Sequence, residues 1–146
     1  MLRPLLLSLL LAVTLSGCFF NKRPDPKPAP AATAARPAGD EAAATQKAEQ
    51  QFKQGVRAYE NGQHKDAEQS LRSALDGGLP AKADQVAANK YLAFIACANR
   101  QQDSCRTYFR RALAIDPAFE LSRTEAGHPL WGPVFREVKA ERQKRG

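Results

Sequence analysis

The sequence predicts an all-α domain, built from two similar helix pairs and a C-terminal capping helix and preceded by a disordered tether. Two observations predict the helices: apolar side chains follow helical spacing from residue 48 onward, and a pattern of small and large residues recurs 38 residues later. The third observation is the proline- and alanine-rich composition before them. We therefore divide the chain into a signal segment (1–17), a tether (18–45) and a helical domain (46–146).

The first segment has the layout of a secretory signal peptide. Arg3 supplies one positive charge, the stretch from Leu5 to Leu15 is apolar, and small residues follow. This stretch is shorter than the about 20 residues that a membrane-spanning helix needs. Polar, proline-rich sequence follows at once, so we predict a cleaved signal.

The sequence Leu15-Ser16-Gly17-Cys18 resembles a bacterial lipobox, at which signal peptidase II cleaves before the cysteine. The resemblance implies that Cys18 begins the mature chain, that its thiol carries diacylglycerol and that its amino group is acylated, as with palmitate. An ordinary signal with an incidental cysteine is the open alternative. Because Phe19 and not aspartate follows Cys18, lipoprotein sorting implies the periplasmic face of the outer membrane.

Residues 21–45 of the tether contain five prolines and many alanines, and they have no apolar side chain larger than alanine apart from proline. Such a segment cannot bury enough surface to offset the entropy of ordering it. We expect polyproline II structure in its proline-rich half and coil or nascent helix in its alanine-rich half.

Two stretches, residues 48–80 and 86–117, make up the repeat. Equivalent positions are Ala67 with Cys105, Leu71 with Phe109, Ala74 with Ala112, and Leu75 with Leu113. Both stretches resemble the tetratricopeptide repeat (TPR). The second carries Leu92, Ala93, Cys105, Phe109, Ala112 and Pro117 at the motif positions; the first carries Gly55, Gly62, Ala67, Leu71 and Ala74, with Leu79 where proline is expected. Small residues let antiparallel helices approach, and large ones fill the space between them.

The last segment is predicted to cover the open end of the repeats, because two repeats alone are too few for a stable stack. Ser122 and Glu125 have the spacing of a capping box. Pro133 favours a helix that starts at or after it, with Val134, Phe135 and Val138 on one face. We interpret the preceding "HPLWGP" as a packed elbow, with His128 stabilising the turn by a hydrogen bond.

The resemblance to TPR proteins also implies a binding surface, since the first helix of each pair lines a concave groove. The positions carried over are Phe52, Val56, Tyr59, Lys90 and Phe94, with Cys97 as a further candidate. Aromatic and basic side chains suit an extended peptide or a partner helix. The open alternative is that these aromatic residues are core, packed under the C-terminal helix.

Little in the sequence indicates an enzyme or a cofactor. It has two histidines in separate segments, and no phosphate-binding loop, Cys-x-x-Cys motif, nucleophile elbow or cluster of metal ligands. The net charge of +7 is moderate, and its densest run, "ERQKRG", is typical of a solvated helix end, so nucleic acid is not indicated. We expect binding rather than catalysis.

After removal of Cys18 from the count, Cys97 and Cys105 are an even pair in an oxidising compartment. Two states stay open: a disulfide between neighbouring helices, or two small buried apolar residues.

The lipobox, the cysteine pair and the tail "AGHPLWGPVF" together resemble the type VI secretion-associated TssQ group of TPR lipoproteins. The resemblance implies an adaptor that binds an envelope component of the secretion apparatus. A pilotin-like or outer-membrane assembly lipoprotein is the alternative within this class. A peptidoglycan-associated structural protein or a subunit of an envelope enzyme is the alternative outside it.

Overall fold

The computed structural model describes residues 38–145, and every regular element in that range is a helix. The helices are α1 (Ala38–Glu60), α2 (His64–Asp76), α3 (Lys82–Ala98), α4 (Gln102–Ile115), α5 (Arg123–Ala126) and α6 (Gly132–Gln143). This confirms the predicted all-α class with two helix pairs and a C-terminal helix. The predicted signal segment, Cys18 and most of the predicted tether lie outside the described residues. Of the helices from 38 to 145, none combines the length and the apolarity that crossing a membrane requires.

Helices α1 and α2 form an antiparallel hairpin held by a close approach. Gly62 makes the turn with a φ of 73°, a left-handed conformation that glycine adopts without strain. At the crossing, a Cβ atom on Gly55 would lie 2.7 Å from Cγ of Leu71, so only glycine fits there without movement. Ala67 and Leu71 are fully buried beside it. The pattern of small and large residues therefore sets this packing.

Helices α3 and α4 repeat the hairpin with different turn chemistry. Arg100 stands at the position equivalent to Gly62, and its φ of 60° is left-handed as well. Cys105 and Phe109 are fully buried at the positions equivalent to Ala67 and Leu71. Of the two states that the sequence left open for the cysteines, the structure has the disulfide: Cys97 and Cys105 are joined, with Cα atoms 5.2 Å apart.

Helix α1 starts earlier than the boundary placed at residue 46. It begins at Ala38, yet its first buried side chain is Ala48. Three alanines at 42–44 favour a helix, and Asp40 and Glu41 suit the positive end of its dipole. The first ten residues of α1 therefore form a helix although none of their described side chains is buried against the rest of the domain.

Helix α6 covers α4 and runs parallel to it. Arg106 pairs with Glu137 and Arg110 with Glu141, so that one turn along α4 matches one turn along α6 in the same direction. The buried face of α6 comprises Val134, Phe135 and Val138, as their spacing predicts. Since the two helices are parallel, the start of α6 lies near the start of α4 and far from its end. Residues 116–131, which we call the link, therefore carry the chain back along the length of the helices.

Candidate functional site: the α1–α3 face

An apolar stripe on α1 faces α3 and is incompletely covered. Phe52, Val56 and Tyr59 recur at helical spacing, are half-buried, and pack against the core. The ring of Tyr59 lies 4.8 Å from that of Tyr91 and 6.3 Å from that of Phe94, measured between centroids. Side chains of α1 and α3 thus meet in one aromatic and aliphatic cluster, and we call this side of the two helices the α1–α3 face.

The hydroxyl of Tyr59 lies in surroundings that disfavour its ionised form. Burial, followed by the nearby Tyr91 and Glu125, raises the pKa of Tyr59 above its ordinary value. The ring of His64 stacks on the other side, with 5.7 Å between centroids. Tyr59 is therefore neutral at physiological pH and offers a hydroxyl group at the border of an apolar surface.

The link crosses the α3 part of this face. Phe119, near the start of the link, borders a cleft with Val86 of α3. Further along, Glu125 reaches Lys90, and Trp131 stacks on Phe94 with 4.4 Å between centroids. The indole Nε1 of Trp131 also donates a hydrogen bond to the Glu125 carbonyl oxygen. Residues 119–131 therefore lie along the side of α3 that carries the predicted binding residues Lys90 and Phe94.

Lys90 and Glu125 form the polar centre of that contact. The Lys90 Nζ atom lies 2.6 Å from Oε1 of Glu125, and the lysine side chain is only 16% exposed. Burial alone would raise the pKa of Glu125, but hydrogen bonds from Lys90 and Ser122 and the charge of Lys90 outweigh it and lower the pKa. Lys90 also lies over the ring of Tyr91, 4.6 Å from its centroid. The ion pair is thus fixed by packing on both sides.

The five residues predicted for binding divide into two groups. Phe52, Val56 and Tyr59 stay half-open on α1. Phe94 is 2% exposed and lies under Trp131, and Lys90 is held by the link. Phe94 is thus a core residue, as in the alternative interpretation, but it packs under Trp131 of the link and not under the C-terminal helix, whereas the α1 residues stay half-exposed. The further candidate, Cys97, lies buried in the disulfide.

Sequence reasoning missed two contributors to the face. Tyr91 packs against Tyr59 and so joins the two helices, and Glu125 neutralises Lys90. The capping box at Ser122 and Glu125 is present, as predicted. The pairing of Glu125 with Lys90 of α3 could not be predicted from the sequence. The two residues are 35 positions apart, and the path of the link brings them together.

The link and α3 also enclose an apolar cleft of about 510 Å³. Its walls come from the first turns of α3, the end of α4 and the start of the link. The lining residues are Lys82, Ala83, Val86, Ala87, Lys90, Ile115, Asp116 and Phe119. A cleft of this size accommodates a side chain or a short segment of a partner.

Nothing in the described part of the chain assembles into a metal site: no three His, Cys, Asp or Glu residues of 38–145 converge. His128 instead accepts a hydrogen bond from the backbone N–H of Leu130 at 3.2 Å, as expected for the elbow. Its ring stacks on Trp131. Both described histidines therefore pack on aromatic rings.

A scan of known protein families, a search of curated proteins and a search of solved structures each find no match to this chain.

Proposed function

We propose that this protein is a lipid-anchored adaptor on the periplasmic face of the bacterial outer membrane, and that it acts by binding a protein partner and not by catalysis. The observation that carries the binding role is the half-open stripe of Phe52, Val56 and Tyr59, set on a helix whose other side is packed. Rigid aromatic and aliphatic anchors of this kind dominate the energetics of protein interfaces.

The anchor rests on Leu15-Ser16-Gly17-Cys18 and on Phe19 after it. Three acyl chains, at about 0.8 kcal/mol for each buried methylene, would hold the mature chain on a bilayer. A Cys18→Ala variant should then lose its association with outer membranes after a carbonate wash. If the variant still fractionates with the outer membrane, the lipid anchor is wrong.

Within this class, the resemblance of the tail "AGHPLWGPVF" to the TssQ group favours an accessory of the type VI secretion system. The residues of the tail have structural roles here: Trp131 covers Phe94, and Phe135 packs on Phe109 with 5.2 Å between centroids. The tail thus holds the link over α3 and packs on α4. These contacts with both helices support extending the resemblance from the tail to the whole domain.

Site-specific photocrosslinking in the envelope tests both levels of the proposal. A crosslinker at Val56 should capture a partner, and one at Gln69, exposed on α2, should not. Capture of a type VI envelope component would support a role as an accessory of type VI secretion. Capture of a secretin or pilus component would support the pilotin-like alternative instead. Equal capture from both positions, or partner binding that is unchanged by Phe52→Ala, would contradict the α1–α3 face as the binding surface.

A further inference from the structure

A second surface lies between α4 and α6. It is a cleft of about 380 Å³ lined by Arg110, Leu113, Val138, Glu141, Arg142 and Arg145, and we call it the arginine cleft. Leu113 and Val138 are almost fully buried and form a fixed floor. Around this floor stand Arg110 on α4, Arg142 on α6, and Arg145 just beyond the end of α6.

The excess positive charge of the described residues is concentrated on this part of the chain. Residues 38–101 carry equal numbers of acidic and basic side chains, whereas residues 102–145 carry nine basic and six acidic ones. Four of those nine basic side chains, namely Arg106, Arg110, Arg142 and Arg145, belong to the cleft or its edge. The net positive charge of residues 38–145 therefore comes from the part of the chain that contains this cleft.

One carboxylate serves several of these arginines. Glu141 pairs with Arg110 at 2.9 Å, with Arg106 at 3.5 Å and with Arg145 at 3.8 Å. The hydrogen bond from Arg110 lowers the pKa of Glu141, and the charges of the neighbouring arginines act in the same direction. Glu137 takes a further contact from Arg106. Within residues 38–145, Arg142 has no carboxylate within ion-pair distance, so four cations face two anions.

We propose that the arginine cleft binds a phosphate group. Glu141 holds the guanidinium planes in place without cancelling their charge, and phosphate offers several oxygens to donors that converge from different directions. Guanidinium groups suit this task because they donate pairs of parallel hydrogen bonds and are weakly hydrated. The volume fits one phosphate with a small attached group. Its source is either a soluble phosphate compound or the headgroup of an anionic phospholipid.

The test follows the side-chain Nε–Hε signals of arginine by NMR on the full chain in a neutral detergent. Pyrophosphate is titrated as the soluble probe, and micelles doped with phosphatidylglycerol are the lipid probe. Saturable shifts of the Arg110, Arg142 and Arg145 signals are expected with at least one probe. They should weaken as salt is raised, because the cleft is open to solvent.

The double variant Arg142→Gln, Arg145→Gln should lower the affinity about tenfold or more, since each charge-assisted hydrogen bond is strong. Its matched control, Arg100→Gln, Arg123→Gln, removes the same charge from exposed positions outside the cleft and should bind as the parent chain does. Unchanged Trp131 emission shows that both variants are folded.

The possible outcomes distinguish a soluble phosphate compound, a lipid headgroup and an acidic protein surface as the ligand of the cleft. Binding of pyrophosphate supports a soluble phosphate compound, and shifts seen only with phosphatidylglycerol support a lipid headgroup. The proposal is overturned if neither probe shifts these signals, or if the control variant loses as much affinity as the cleft variant. It is also overturned if a hexaglutamate peptide binds more tightly than both probes, which would identify an acidic protein surface instead.

Discussion

The indole ring of Trp131 lies against the phenyl ring of Phe94, with 4.4 Å between the ring centroids and 22° between the ring planes. This contact joins the end of the link to the middle of α3. It contributes to the burial of Phe94, a residue that the sequence analysis predicted to be open for binding. The link therefore completes the core, and it leaves only the α1 part of the proposed binding surface open.

Phe94→Ala should destabilise the domain by about 3–5 kcal/mol, the usual cost of removing a buried phenyl ring. It should also shift the emission of Trp131 to longer wavelength, since the indole loses its cover on one side. Because the chain has one tryptophan, the spectrum reports this position alone. Chemical denaturation and fluorescence measure both effects.

The matched control is Phe52→Ala. Its ring is half-buried on α1, so the loss of stability should be smaller and the emission of Trp131 should not change. Equal losses for the two variants would mean that the link does not cover Phe94 in solution.

The ion pair between Lys90 and Glu125 predicts a pH dependence. The folded-state pKa of Glu125 is lowered, so its contribution to stability is present above the ordinary glutamate pKa and is lost as the pH falls through the lower, folded value. Trp131 emission should change in that acidic window as the link loosens. Glu125→Gln should remove this transition, whereas Glu41→Gln, exposed at the start of α1, should retain it.

The disulfide between Cys97 and Cys105 closes a short loop at the turn between α3 and α4. In the Cys18→Ala background, replacing both cysteines by alanine should lower the free energy of unfolding by about 2–3 kcal/mol. Reductant should lower the stability of the parent by a similar amount and leave the double variant unchanged. A parent chain insensitive to reductant would show that the thiols are not joined in solution.

Gly62 and Arg100 make equivalent turns, and substitutions at them should have opposite effects. Arg100→Gly should stabilise the domain by about 1 kcal/mol, since a left-handed φ costs a residue with a Cβ atom about that much. Gly62→Ala should destabilise it by a similar amount through the backbone alone, because an added Cβ would meet nothing within 4 Å. Thermal midpoints of the two single variants test the pair, and shifts of the same sign would contradict it.

The helical pairs could be predicted from the sequence because their causes are local. Ala67 and Leu71, like Cys105 and Phe109, are one turn apart, and residues 38 positions apart repeat the same packing. The earlier start of α1 at Ala38 was harder to predict, because helix propensity without burial leaves no hydrophobic pattern.

The sequence by itself determined that the domain consists of two hairpins with a C-terminal helix, α6, over their open end. Only the tertiary structure decided which way that helix runs. Val134, Phe135 and Val138 would bury the same stripe in either direction, so their spacing cannot distinguish a parallel α6 from an antiparallel one. The parallel direction forces the link back across α3, where it buries Phe94 and pairs with Lys90. These contacts join distant parts of the chain, and they leave the α1 side of the face open.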